Sequence, residues 1–148
     1  MANEQVEILL IEDNPNDIEL TLHTLRRHNL ANNIHVVRDG AEALEYLFCT
    51  GAYADRRIEY GPKLVLLDLK LPLVDGVEVL RRMKADPRTR TLPVVVLTSS
   101  REERDVVETY KLGVNSYIVK PVNFEQFTDA VRQIGLYWLL LNEPPKQG

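Results

Sequence analysis

Short aliphatic runs recur along the chain, and the stretches between them place apolar residues at helical spacing. The aliphatic runs cover residues 6–11, 34–37, 63–67, 93–97 and 116–119. Three of them are almost continuously apolar, which is typical of strands that are covered on both faces of a sheet. The pattern therefore predicts five strands, three of which are fully buried.

Between the runs, apolar residues step by three and four positions, as they do on one face of an α-helix. The groups are Ile18, Leu22 and Leu25; Ala43, Leu44, Leu47 and Phe48; Val79, Leu80 and Met83; Val106, Val107 and Tyr110; and Phe124, Phe127, Val131, Ile134 and Trp138. Strands that alternate with helices imply parallel pairing through right-handed crossovers. We therefore expect an α/β protein with a flavodoxin-like (βα)5 doubly wound parallel sheet, strand order 2-1-3-4-5.

The remaining segments do not suggest a second domain. We expect a single domain over residues 1–148, with its core at about 6–141 and a tail at 142–148. The segment 49–62 is rich in charged and turn-forming residues, so we expect a surface loop there. Gly113 follows the fourth helical group in the position of a helix C-cap.

Charge and composition exclude several classes of protein. The net charge is −4 and basic residues are scattered, so we expect no direct contact with nucleic acid. No apolar run approaches the ~20 residues of a membrane span, and the N-terminus lacks the layout of a signal peptide. Cys49 is the single cysteine, which suits a reducing compartment, so we expect a cytoplasmic protein.

Polar side chains follow four of the predicted strands. Glu12 and Asp13 end the first strand, Asp68 ends the third, Thr98 ends the fourth and Lys120 ends the fifth. Because the carboxyl ends of parallel strands meet at one edge of a sheet, these side chains are expected to converge. Taken singly, each is an ordinary loop or cap residue, but convergence from four strands favours a functional site.

The chemistry of this set favours phosphoryl transfer. Carboxylate oxygens in the predicted cluster suit Mg²⁺, which also relieves the repulsion between Glu12 and Asp13. Lys120 and Thr98 can contact phosphate oxygens, and an ionised Asp68 can attack phosphorus.

The residues directly after the acidic pair have a structural interpretation instead. Asn14 precedes Pro15, which is a favourable helix start with the asparagine as N-cap, and we assign Asp17 to the same helix start.

Four motifs together resemble the response-regulator receiver domain of two-component signalling. They are LLIEDN at 9–14, LVLLDLKLPLVDGVEVL at 64–80, VVVLTSS at 94–100 and YIVKP at 117–121. The resemblance extends over residues 6–141 and keeps the motifs in the family's order.

The resemblance implies roles for the converging residues. Glu12, Asp13 and Asp68, with the backbone carbonyl of Lys70, are expected to bind Mg²⁺. Asp68 is expected to accept a phosphoryl group from a histidine kinase. The protein would catalyse its own phosphorylation and dephosphorylation, and we expect no conventional enzyme activity.

The resemblance also implies a conformational switch. Thr98 is the switch hydroxyl, and Lys120 is the lysine that contacts the phosphoryl group. Tyr117 is the aromatic residue that turns inward when Thr98 is drawn toward the phosphate.

A narrower likeness concerns the partner. Four segments resemble stand-alone receivers that are paired with bacterial, especially cyanobacterial, phytochrome kinases. They are EDNPND and the segments 53–61, 86–100 and 135–145. We therefore expect a phytochrome-like histidine kinase as partner. We expect no output domain after the last predicted helix and therefore expect signalling through a downstream protein target.

Two residues near the predicted phosphorylation site are expected to modulate its chemistry. Lys70 lies two positions beyond Asp68, where it can shield the acyl phosphate, although a side chain that points into solvent is equally compatible with the sequence. Ser100 is a small residue two positions beyond Thr98.

The last predicted helix is more apolar than one buried face requires. We expect a homodimer whose interface includes Phe124, Phe127 and Trp138. The alternative is that these residues only pack the core.

Other classes of protein fit less well. A phosphatase of the haloacid-dehalogenase type needs a second aspartate where this chain has Lys70. A nucleotide-binding module is disfavoured because neither glycine-rich phosphate motif occurs, and a zinc site because His23, His28 and His35 are expected at separate surface positions. A phosphorylation-independent, receiver-like scaffold is the more serious alternative.

Overall fold

Five parallel strands form one sheet, and their carboxyl ends carry the residues that the sequence singles out. The computed structural model describes residues 6–30, 33–99, 108–114 and 116–136. The strands are β1 (Ile8–Ile11), β2 (Ile34–Val37), β3 (Leu64–Asp68), β4 (Val94–Thr98) and β5 (Tyr117–Val119). Their order in the sheet is β2-β1-β3-β4-β5, and every neighbouring pair is parallel. The predicted flavodoxin-like order is confirmed.

Helices connect the strands and cover the sheet. They include α1 (Pro15–Arg27), α2 (Gly40–Phe48), α3 (Gly76–Ala85) and α4 (Phe124–Gln133). A helical segment at 108–111 is followed by Gly113 with φ of 96°, and the amide of Val114 donates to the carbonyl oxygen of Thr109 at 3.1 Å. This is the glycine-terminated helix end that the sequence predicts.

The strand β1 shows how the sheet is buried on both faces. Ile8 and Leu10 join one apolar cluster, together with residues of α1 and α4, while Leu9 and Ile11 join a second cluster with residues of α2 and α3. Alternate side chains of a strand point to opposite faces, so both sets must be apolar when helices cover both faces. The continuous aliphatic run in the sequence follows from this arrangement.

Two glycines let the loop after β3 approach its neighbours closely. The amide of Gly40, at the start of α2, donates to the carbonyl oxygen of Pro72 at 3.1 Å. A Cβ atom on Gly40 would lie 1.8 Å from the carbonyl oxygen of Val74, and one on Gly76 would lie 2.4 Å from that of Asp68. The loop is therefore held against α2 and β3 at positions with no space for a side chain.

The segment between α2 and β3 has more regular structure than the predicted surface loop. It contains two 3-10 turns, Gly51–Tyr53 and Ile58–Tyr60. Arg56, between the turns, places its guanidinium over the ring of Tyr46 in α2, 3.6 Å from the ring centroid. The segment is thus fixed to the helix before it by an aromatic contact.

The three histidines differ in their surroundings. His23 and His28 are exposed, as predicted. His35 on β2 is half-buried, because its ring stacks on Tyr46 with centroids 4.6 Å apart and its Nε2 lies 3.1 Å from the hydroxyl of Tyr53. The prediction of a surface position was therefore wrong for His35.

None of the helices within the described ranges combines the length and the apolar composition needed to cross a membrane.

Candidate functional site

The carboxyl edge of the sheet brings together side chains from four elements. Glu12 follows β1, Asp68 ends β3, Thr98 ends β4 and Lys120 follows β5. The ammonium Nζ of Lys120 lies 3.1 Å from Oδ2 of Asp68 and 3.4 Å from Oε1 of Glu12. Residues that are 52 and 108 positions apart in the chain are therefore in direct contact, as expected from parallel strands.

Three carboxylates form a cluster at this edge. Glu12, Asp13 and Asp68 can each offer one oxygen atom such that all of these atoms lie within 4.8 Å of one another. Glu12 and Asp68 are buried, whereas Asp13 is exposed. An all-oxygen donor set with one side open to solvent fits a hard divalent cation that retains part of its water.

Burial and the neighbouring Asp68 dominate the electrostatics of Glu12. Burial raises the pKa of the Glu12 carboxyl to about 8, and the hydrogen bond with Asp68 and the charge of Asp68 act in the same direction. The charge of Lys120 and the amide of Asn14, 3.2 Å from Oε2 of Glu12, oppose this rise. The site therefore holds negative charge at an energetic cost that positive neighbours partly offset.

The state of Lys120 follows from the same balance. Burial alone would lower the pKa of the Lys120 ammonium, but the negative charges of Asp68 and Glu12 outweigh burial and raise this pKa above its ordinary value. Lys120 is therefore a permanent cation in this site at neutral pH.

Asp68 is held at both of its oxygen atoms. Its Oδ1 accepts a hydrogen bond from the amide of Lys70 at 3.1 Å, and its Oδ2 faces Lys120. Lys70 is an exposed residue. The shielding of a phosphoryl group by its side chain stays a prediction.

Asp17 belongs to the site, although the sequence analysis assigned it only to the helix start. Asn14 is the N-cap of α1, and its Oδ1 accepts from the amide of Asp17 at 3.0 Å, as predicted. The carboxylate of Asp17, however, lies 3.2 Å from Nζ of Lys120. The available signal was its place in the first turn of a helix that begins directly behind an acidic strand end.

The two predicted switch residues, Thr98 and Tyr117, lie at the end and the start of adjacent strands, β4 and β5. The hydroxyl of Thr98 donates to the carbonyl oxygen of Ser99 at 3.0 Å, and the residue is buried. Tyr117 is exposed, and its ring meets that of Tyr110 edge to face with centroids 5.8 Å apart. The outward position of Tyr117 is one of the two positions that the switch hypothesis requires.

The expected dimer surface needs one correction. Phe127 is 0% exposed and lies in the core cluster between the sheet and α4, so its side chain is not available to a partner. Phe124 is 42% exposed, and its ring lies 4.3 Å from that of His28. Trp138 lies outside the described residues, as does Ser100.

Comparisons with known proteins show the family to which the chain belongs. A family model described as the response regulator receiver domain matches residues 8–132. A solved structure of the bacteriophytochrome response regulator RtBRR matches with a TM-score of 0.84 at 52% sequence identity, covering 96% of this chain and 85% of that chain. The phosphorylated cyanobacterial phytochrome response regulator RcpA matches with a TM-score of 0.74 at 40% identity, covering 97% and 100%.

The response regulator Rcp1 of Synechocystis is also similar. Its sequence is 38% identical over 93% of this chain and 92% of Rcp1. The structure of the Mn(2+)-bound form of Rcp1 matches with a TM-score of 0.73 at 37% identity, covering 95% and 99% of the two chains. These matches over most of the chain show that it belongs to the family of response regulator receiver domains of two-component signalling.

Proposed function

We propose that Asp68 accepts a phosphoryl group from a histidine kinase in a Mg²⁺-dependent reaction. The observation that carries this proposal is the contact of Lys120 with Asp68 at 3.1 Å beside the three clustered carboxylates. A buried aspartate held between a fixed cation and a metal-type donor set is suited to attack phosphorus.

Glu12, Asp13 and Asp68 would hold the Mg²⁺ ion, with the backbone carbonyl of Lys70 as the further ligand that the family implies. Each carboxylate oxygen has two acceptor positions, so the hydrogen bonds to Lys120 and to the Lys70 amide leave capacity for a cation. When bound, the ion neutralises charge on the transferred phosphoryl group. The relative Rcp1, whose solved form is described as Mn(2+)-bound, supports a divalent cation here.

In the transfer step, a carboxylate oxygen of Asp68 forms a bond to phosphorus. The bond between phosphorus and the imidazole nitrogen of the donor histidine breaks, and its electron pair stays on that nitrogen. The products are an acyl phosphate on Asp68 and a neutral imidazole whose other nitrogen keeps its proton. Lys120, already a cation at 3.1 Å, compensates the charge on the phosphoryl oxygens.

Phosphorylation is then read through Thr98 and Tyr117. The Thr98 hydroxyl exchanges the carbonyl oxygen of Ser99 for a phosphoryl oxygen, which is the stronger acceptor because it is charged. The space that Thr98 leaves lets Tyr117 turn inward from its exposed position beside Tyr110. The surface around β5 therefore changes with the phosphorylation state.

The proposed donor is a phytochrome-type histidine kinase, because RtBRR and RcpA are described as response regulators of phytochromes. The proposed readout is contact with a downstream protein and association of two copies of the chain. We assign the exposed Phe124 to the homodimer surface, together with Trp138, which lies outside the described residues, and Phe127 is no longer among them.

Labelling with radioactive acetyl phosphate and Mg²⁺ tests the proposed function. The wild type is expected to become labelled, whereas Asp68→Asn is not, because the amide cannot form the acyl phosphate. Removal of Mg²⁺ with a chelator is expected to abolish labelling of the wild type.

A matched control is Asp129→Asn on α4. The Asp129 side chain is 70% exposed, and within the described residues its ion-pair partner is Arg132. It should label like the wild type. Absence of label from the wild type would contradict the proposal and favour the phosphorylation-independent scaffold.

A further inference from the structure

The side-chain amide of Gln126 on α4 binds the main chain on both sides of Lys120. Its Oε1 accepts from the amide of Val119 at 3.0 Å, and its Nε2 donates to the carbonyl oxygen of Val119 at 3.0 Å. The same Nε2 lies 3.3 Å from the carbonyl oxygen of Pro121 and donates to it. Three main-chain groups that flank the phosphate-contacting lysine therefore depend on one side chain.

The position of β5 in the sheet explains why these groups need a partner. In the described part of the chain β5 lies at the end of the sheet and pairs with β4. The residues whose main-chain groups bond to β4 include Ser116, which meets Val96, and Lys120, which meets Thr98. Main-chain groups of a strand alternate between its two sides, so those of Val119 face the open edge. A carboxamide has both a donor and an acceptor, as a peptide group has. Gln126 therefore makes the hydrogen bonds with Val119 that a neighbouring strand would otherwise make.

Gln126 is itself fixed in place. Its amide donates to Oδ1 of Asn123, the N-cap of α4, at 2.8 Å. The next residue, Phe127, is fully buried in the core. The first turn of α4 is thus anchored at its cap and in the core, so the amide of Gln126 approaches β5 from a defined position.

We propose that Gln126 is a positioning residue for Lys120. The amide of Lys120 donates to the carbonyl oxygen of Thr98 at 2.8 Å on one side, and Gln126 holds the residues on either side of Lys120 from the other. With its main chain restrained on both sides, the lysine presents its ammonium to Asp68 from one direction. This inference rests on the proposed phosphorylation of Asp68, because it concerns the rate of that reaction.

Two substitutions separate the contributions of the amide. Gln126→Glu keeps the shape and the acceptor but loses both donated hydrogen bonds, and its charge opposes the carbonyl oxygens of Val119 and Pro121. Gln126→Met keeps the length and loses all three hydrogen bonds without adding charge. Gln133→Glu is the matched control, because Gln133 is exposed two turns later on the same helix.

The measurement is the rate of labelling from acetyl phosphate at saturating Mg²⁺, with Mg²⁺ affinity and the thermal unfolding midpoint measured alongside. Both Gln126 variants are expected to label about tenfold more slowly, since small misplacements of a catalytic group cost this much or more. Their Mg²⁺ affinity is expected to match the wild type, because Gln126 contacts none of the three carboxylates. Gln133→Glu should match the wild type in all respects.

The NMR signal of the Lys120 ammonium gives a second reading that needs no phosphorylation. A shifted or broadened signal in both Gln126 variants, and not in Gln133→Glu, supports the positioning role even if the wild type fails to label, which would contradict only the proposed function. Unchanged labelling and an unchanged Lys120 signal overturn the inference. A loss of Mg²⁺ affinity as large as the loss of rate overturns it as well, because that result indicates general damage to the site.

Discussion

The ammonium of Lys120 lies 3.1 Å from Asp68, 3.2 Å from Asp17 and 3.4 Å from Glu12. One cation is therefore shared among three carboxylates, two of which are buried. Removing the lysine would take away the cation that offsets the negative charge of a poorly solvated site, which is far costlier than losing an exposed ion pair. In the proposed phosphorylated state, the phosphoryl group on Asp68 would compete with Asp17 and Glu12 for the same ammonium.

At the same scale, alanine substitutions at Gly40 and Gly61 test the close approach of the loop after β3. Gly40→Ala is expected to destabilise the protein by about 1–3 kcal/mol, because the new Cβ would overlap the main chain of Val74 and force it to shift. The free energy of unfolding from urea titration measures the effect.

Gly61→Ala serves as the control. Its Cβ would lie 3.4 Å from the carbonyl oxygen of Ile58, an ordinary contact, and its φ of −69° suits alanine. This variant should be neutral or slightly more stable, since alanine restricts the unfolded chain. Equal stability of the two alanine variants would show that the loop moves away from α2 without cost.

At the scale of elements, the edge strand β2 and the segment between α2 and β3 support each other. The hydroxyl of Tyr53 donates to Oε2 of Glu42 at 2.7 Å, so its oxygen accepts from Nε2 of His35. The rings of His35, Tyr46 and Tyr53 contact one another, and Arg56 lies over Tyr46. This cluster ties a segment without an apolar pattern to the sheet by aromatic and polar contacts.

The cluster makes stability depend on pH. Burial lowers the pKa of the His35 imidazole below 6.5; the nearby Arg56 adds to this and Glu42 opposes it. The folded protein then binds fewer protons than the unfolded chain. The contribution of neutral His35 to folding stability is therefore complete above the unfolded pKa and is lost as pH falls through 6.5 and below. His35→Phe keeps the ring and cannot titrate, so we expect it to lose less stability between pH 7.5 and pH 5.5 than the wild type.

Urea midpoints at the two pH values measure this difference. His23→Phe, at an exposed position on α1, is the control and should keep the pH dependence of the wild type. If His35→Phe and the wild type lose the same stability, the charge of His35 is accommodated in the folded state and the proposed cause is wrong.

At the scale of the whole molecule, four exposed apolar side chains lie on β5 or on the segments next to it in the sequence and the fold. Tyr110 at 47%, Tyr117 at 43%, Val119 at 40% and Phe124 at 42% are all exposed there in the described part of the chain. The main-chain groups of Val119 at the open edge are satisfied by Gln126, so they are not available to pair with another strand. Such a surface suits contact between folded protein surfaces.

The proposed homodimer is tested by sedimentation velocity at low concentration. The wild type is expected to sediment as a dimer and Trp138→Ala as a monomer, because loss of a large aromatic anchor removes much of the binding energy of an interface. Tyr60→Ala is the control, since Tyr60 is an exposed aromatic in the segment before β3 and should leave the dimer intact. Monomers for the wild type and Trp138→Ala alike would end the dimer proposal.

The fold could be predicted from the sequence because its signals are local. Continuous aliphatic runs mark β1, β3 and β4, and the alternation with helices implies the observed strand order. The convergence of Glu12, Asp68 and Lys120 follows from the same rule, since parallel strands bring their carboxyl ends to one edge. The helix caps at Asn14 and Gly113 depend only on neighbouring residues, so they were predictable too.

Other features depend on how helices and strands pack against one another, and no local sequence pattern predicts that packing. The direction in which the first turn of α1 faces brings Asp17 to Lys120, and the approach of α4 to β5 brings Gln126 to the open edge. The same packing buries Phe127 and half-buries His35, which the sequence placed on surfaces. By itself the sequence determined the order of the strands and the acids, hydroxyl and lysine at their ends. Tertiary structure alone decided which polar groups share the lysine and hold its main chain, because those contacts join residues whose spacing in the chain carries no periodic signal.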